Sequence, residues 1–130
     1  VVFESPLQML ADNPVLYRRE HPCTEFLAAV PTTWDSLRVL HAACGREVVV
    51  ARRKGDKWYV GGITNDRPYT TAIALDFLPA GRTFTMTSFE DGVNADLQAT
   101  DYRKRVREVD ASTVVKVEMV RNGGWAAVIE

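Results

Sequence analysis

The chain has 130 residues, 46% hydrophobic and 25% charged, with a formal net charge of −1. That is the composition of one globular domain able to bury roughly two thirds of the surface its unfolded form exposes. So balanced a charge creates no field to draw in nucleic acid or an anionic membrane, and no apolar run approaches the roughly 18 residues a spanning helix needs.

No basic start followed by an apolar stretch and a small-residue cleavage site marks a signal peptide. The chain opens on Val1, Val2 and Phe3, as a cut segment would. The pattern then divides near residue 37. Asp12-Asn13-Pro14 reads as a stop for whatever precedes it. Pro22 and Thr24 open a predicted helix, with Thr24 as its N-cap and Phe26, Leu27 and Val30 as its apolar stripe. Pro31 ends it, because the residue before a proline is pushed out of the helical region.

Beyond residue 37 the period becomes that of strands. Val39 and Leu40 begin one strand and Glu47 to Arg53 form a second. Lys54-Gly55-Asp56-Lys57 is a hairpin turn, with the glycine supplying positive φ. Trp58 to Ile63 is the return strand. Thr71, Ile73, Leu75 and Phe77 alternate with Ala72, Ala74 and Asp76, and Phe84 and Met86 alternate with threonines. A polar loop runs from Val93 to about Thr100. Tyr102 to Val109 reads as a charged edge strand, where Lys and Arg discourage unwanted pairing. Val115, Val117 and Met119 alternate with Lys116 and Glu118, and Asn122-Gly123-Gly124 turns into a last strand ending at Ile129. The pattern predicts an all-β fold: an antiparallel β-sandwich of about eight strands, preceded by a short helical N-terminal segment.

No signature of catalysis stands out. Gly61-Gly62 and Gly123-Gly124 lack the spacing that opens a helix onto a phosphate and read as strand and turn glycines. There is no GxSxG motif, and neither cysteine lies in a catalytic signature. Cys23 with His21 and Cys44 with His41 lack the tight ligand pairs of a zinc site; a Cys23–Cys44 disulfide would require an oxidising compartment. Asp91, Asp96 and Asp101 do not have the spacing of a calcium loop and read as turn-capping aspartates. Arg103, Arg105 and Arg107 would share one face of a strand, but without the stacking aromatics of a single-strand binder. Trp58 and Trp125 read as core residues; Trp34, in irregular chain, is the better candidate for exposure or for packing on another domain.

Three stretches carry a resemblance: Ser5 to Asp12, Val30 to Asp35, and Val50 to Asp56 continuing into Trp58-Tyr59-Val60-Gly61. Asp91-Gly92-Val93-Asn94-Ala95-Asp96, Asp101-Tyr102 and Gly123-Gly124-Trp125-Ala126-Ala127 extend it over nearly the whole chain. Together they resemble the C-terminal end of glycoside hydrolase family 97. The resemblance implies a parent α-glucosidase or α-galactosidase, periplasmic or secreted and bacterial, with an N-terminal super-sandwich and a catalytic (β/α)8 barrel. Its catalytic carboxylates and calcium ligands would lie upstream, so this chain carries no catalytic residue, no metal ligand and no cofactor of its own.

On this reading residues 1–36 are the tail of the barrel and residues 37–130 the C-terminal β-sandwich. The expected role is that of a non-catalytic accessory domain that stabilises the barrel and mediates oligomerisation; the alternative is a carbohydrate-binding module using exposed aromatics. The expected partners are the barrel, a second copy and an oligosaccharide, with no nucleic acid and no membrane. Without the barrel, Val1, Val2, Phe3, Leu7 and Leu10 would present an apolar patch. If Ser5 to Leu10 or Ala28 to Thr32 is a late barrel strand, then Asp12, Trp34 or Asp35 could reach the substrate rim, since barrel sites sit at the C-terminal strand ends. Packing of Trp34 and Asp35 between barrel and sandwich is the other reading.

Overall fold

A computed structural model describes residues 1–130. Two short helices come first, α1 (Pro14–Arg19) and α2 (His21–Ala29). Eight strands follow: β1 (Ser36–Ala43), β2 (Glu47–Lys54), β3 (Lys57–Thr64), β4 (Tyr69–Ala74), β5 (Phe84–Asp91), β6 (Tyr102–Val109), β7 (Val114–Met119) and β8 (Gly124–Ile129). They form a six-stranded sheet in the order β1-β2-β3-β8-β5-β6 and a two-stranded ribbon, β4-β7. All pairings are antiparallel. The molecule is the expected all-β sandwich of eight strands behind a short helical segment, and β6 is the expected edge.

The core lies between the large sheet and the ribbon. Val49, Ala51, Val60, Met86, Ala127 and Ile129 point inward from the sheet to meet Ile73, Val115, Val117 and Met119. These are the positions of the period-2 pattern, so the alternation in sequence becomes one dry face per strand. Trp125 is buried in this core, and Trp58 packs against its rim with its ring centroid 4.6 Å from that of Phe77. Leu75 and Leu78 are buried in the same core.

The helical segment departs from expectation. Asn13-Pro14 starts a helix rather than stopping one: the Asn13 side chain accepts from the Val15 and Leu16 N–H groups, and Pro14 stands where no N–H is required. Thr24 is not an N-cap. It lies inside α2, and its hydroxyl donates back to the Tyr17 and Glu20 carbonyls at 3.0 and 3.1 Å, a local bond that competes with the cap role. Neither Ser5 to Leu10 nor Ala28 to Thr32 forms a strand; Ala28 and Ala29 end α2. No helix is long and apolar enough to cross a membrane.

Candidate functional site

The distinctive region is the outer face of the six-stranded sheet, the face turned away from the ribbon. Residues 1–35 lie across it. The path is set by Gly61 on β3, where a Cβ would stand 3.0 Å from the Val1 side chain. Absence of a side chain there lets the N-terminal strap approach the sheet backbone. Val1 and Val2 are therefore half-buried rather than bare, whereas Phe3, Leu7 and Leu10 are exposed as expected, and Met9 joins them at 84% exposure.

Arg52 on β2 anchors the strap. It is buried, and it donates to the Glu4 carboxylate at 2.9 Å and to the Val2 carbonyl at 3.3 Å. Its guanidinium lies 5.7 Å from the Trp34 ring, which meets Tyr59 edge-on at 5.4 Å. The Tyr59 hydroxyl donates to the Ala29 carbonyl at 3.1 Å and so ties the end of α2 to β3. Burial pushes the Tyr59 phenol above its ordinary range. Phe26 of α2 packs on Phe89 of β5 at 5.0 Å. Between strap and sheet remains a cleft of about 490 Å³, with Met9, Leu10, Phe26, Trp34, Phe89 and Tyr102 on its walls.

The three residues singled out from sequence occupy different surroundings. Trp34 lines this cleft, half-buried, as a packing residue of the strap. Asp35 follows it but faces the β2–β3 turn: its carboxylate accepts from the Gly55 N–H at 2.8 Å and from Lys54 at 3.2 Å. Gly55 holds the turn at φ 58°. The Gly55 hydrogen bond, followed by the bond to Lys54, holds the Asp35 carboxyl below its ordinary range. Asp12 is exposed; its N–H donates to the Tyr17 hydroxyl and its carboxylate accepts from the Asn13 N–H, both at 2.8 Å. Sequence reasoning passed over Arg52 and Tyr59, although the glycines of the neighbouring strand, Gly61 and Gly62, are a visible signal of a close approach to that sheet.

The remaining polar clusters are structural. Arg105 and Arg107 grip Glu90 at 3.2 and 3.1 Å, and Glu90 also accepts from the fully buried Ser88. The Asp91 carboxylate accepts from the Val120 N–H at 2.9 Å, and Asp101 accepts from the Asn94 N–H at 2.8 Å. These aspartates tie turns and do not converge on a cation; no group of three His, Cys, Asp or Glu side chains is arranged to hold a metal. Cys23 on α2 and Cys44 after β1 are both free thiols.

Comparison with known proteins places these features. Residues 33–130 match the family model described as glycosyl-hydrolase 97 C-terminal, oligomerisation. A retaining alpha-galactosidase of Bacteroides thetaiotaomicron is 42% identical over all 130 residues, which correspond to 20% of its length. A probable retaining alpha-galactosidase of Streptomyces bingchenggensis is 30% identical over 128 residues, 98% of this chain and 19% of that protein. Among solved structures, a family 97 enzyme of Pseudoalteromonas sp. strain K8 in complex with acarbose superposes with a TM-score of 0.95 at 34% identity, over 100% of this chain and 21% of its own. The chain thus spans about a fifth of these relatives, and the strap is matched along with the sandwich. The chain belongs to the family of C-terminal domains of family 97 glycosyl hydrolases.

Proposed function

We propose that this chain is the non-catalytic C-terminal β-sandwich of a longer family 97 glycoside hydrolase of α-glucosidase or α-galactosidase type, which stabilises the catalytic barrel and associates with a second copy. In this reading residues 1–36 are the end of the barrel and residues 37–130 the accessory domain. The barrel, the calcium ligands and a periplasmic or secreted location belong to the same proposal and rest on the family relationship.

One observation carries the accessory role. The strap is fastened to the sheet by Arg52, Tyr59 and Gly61, yet its other side presents Phe3, Leu7, Met9 and Leu10 to solvent. A fixed apolar surface of this kind is a contact face. The relatives supply what it would meet, since they are about five times longer and superpose strap and sandwich together.

The oligosaccharide reading has less support. Trp125 is in the core, Trp58 packs on Phe77, and Trp34 is held by Arg52 and Tyr59, so the indole rings are engaged in packing. Isothermal titration of the chain with maltooligosaccharides and α-galactosides tests the choice. The accessory reading expects no heat at millimolar sugar; saturable heat would replace it with the binding-module reading.

A further inference from the structure

The family description speaks of oligomerisation without naming a surface. The six-stranded sheet has two open edges, and they differ in chemistry. β6 carries Arg103, Lys104, Arg105 and Arg107 within five consecutive residues. Glu90 pairs with both Arg105 and Arg107, one carboxylate for two cations, and Arg103 and Lys104 have no carboxylate partner. Two copies of β6 laid side by side would therefore still set cations against cations, which is how natural edges refuse partners. β1 has one arginine, Arg38, and its charge is matched by Asp76 at 3.1 Å.

The backbone direction of β1 can be read from its neighbour. The Arg53 carbonyl accepts from the Asp35 N–H at 2.9 Å, so it faces the β1 side, and Arg53 is the register partner of Ser36. By alternation Ser36 and Arg38 direct their backbone groups to β2, while Leu37 and Val39 direct theirs to the open edge. The same two residues place their side chains on the outer face, 50% and 56% exposed, continuing the rows of the buried Arg52 and Val50. The edge thus combines unpaired N–H and C=O groups with exposed apolar side chains. A bulge between Val39 and His41 ends this regular run. The ribbon edge is a poorer rival: Tyr69 of β4 lies stacked on His41 of β1, which places β4 beneath the outermost strand of the large sheet.

We infer that the β1 edge, Ser36 to Val39, is where a second copy of this chain pairs, strand against strand, to continue the sheet across a twofold axis. This rests on the self-association reading above and adds the surface. A twofold antiparallel pair sets one residue opposite its own copy. The register that would face Arg38 to Arg38 is disfavoured, which leaves Leu37 or Val39 at the axis.

The test is sedimentation velocity of the 130-residue chain over a concentration series, beside two edge variants and a control. Val39→Lys keeps the backbone and puts a charge on the apolar seam, opposite its own copy if Val39 is at the axis and two residues from the axis if Leu37 is. Val39→Pro removes an outward N–H and spares the β2 ladder in either register. Val106→Lys is the control on β6, where Val106 is 63% exposed. The expected result is a wild-type dimer, a dimer of unchanged affinity for Val106→Lys, and a Kd raised at least about tenfold by each Val39 variant. If Val39→Pro fails to fold, Val39→Lys decides. A wild-type dimer that Val39→Lys leaves intact, or that Val106→Lys disrupts, overturns the surface and leaves self-association standing. A wild-type chain that stays monomeric throughout overturns both, and assigns Leu37 and Val39 to contacts within the longer protein.

Discussion

On its inner face the six-stranded sheet meets another sheet, strand against strand. On its outer face it meets two short helices and irregular chain. The inner contact is mostly apolar: Val49, Val60, Met86, Ala127 and Ile129 are all at 0% exposure, and their partners come from a ribbon with the same two-residue period. Only towards β6 do the buried Ser88 and the Glu90 ion pairs share that face. The outer contact is held at separate points, by the Arg52–Glu4 pair, the Tyr59 hydroxyl, the Phe26–Phe89 pair and the close approach at Gly61. A continuous dry layer gains from every methyl group it excludes from water. A pointwise layer gains from a few hydrogen bonds and rings, and it leaves a cleft of about 490 Å³ between them. The sandwich and its strap should therefore respond to substitution as two layers of unequal strength.

The largest effect is expected in the inner layer. Ile129→Ala removes a fully buried side chain at the centre of the core and should cost about 3 kcal/mol in urea unfolding, through lost transfer energy plus the cavity left behind. A cost below about 1 kcal/mol would mean that the inner layer is no tighter than the outer one.

Gly61→Leu addresses the outer layer alone. The new side chain would occupy the space of Val1 and Val2, so the strap should lift while the sandwich persists. Limited proteolysis should then cut within residues 1–32 much faster than in the parent chain, with a loss in global stability of about 1–2 kcal/mol. Protection equal to the parent's would show that Arg52 and Tyr59 suffice to hold the strap.

The smallest effect separates the turn from the strap. Asp35 titrates below its ordinary value because its carboxylate accepts from Gly55 and Lys54. A carboxyl with a lowered folded pKa stabilises above the unfolded pKa, and that contribution disappears as the pH falls through the folded value. Asp35→Asn keeps an acceptor for the Gly55 N–H and removes the titration. Its melting temperature should decline less steeply between neutral pH and about pH 3 than that of the parent chain. An unchanged slope would assign the acid sensitivity to the other lowered carboxyls, Asp110, held first by its bond to the Ser112 side chain, and Glu118, held first by its bond to Lys116.

The strands were legible in the sequence because their inner positions repeat every second residue and their turns carry Gly, Asn or Asp. Val115, Val117 and Met119 are buried while Lys116 and Glu118 are exposed, so that alternation translates directly into a face. The strap was less legible. Asx-Pro reads as a stop or as a capped start, and the structure chooses the start because Asn13 finds two free N–H groups. Of the residues proposed for a site, Trp34 lies on the cleft and Asp35 holds a turn, although they are adjacent in the chain. Arg52 escaped notice because an arginine in a basic pair at a strand end reads as solvated; only the strap's Glu4 and Val2 explain its burial.

The fold class, the edge character of β6 and the family could be read along the chain, since periodicity, turn residues and short matching segments are local properties. Tertiary structure decided which strands became neighbours, placing β8 between β3 and β5. It also decided that the outer face is roofed by the strap and that the two edges differ in what they admit. The physical reason is that pairing and covering depend on groups brought together from distant positions, such as Arg52 with Glu4 and Arg38 with Asp76. No window of sequence contains both partners.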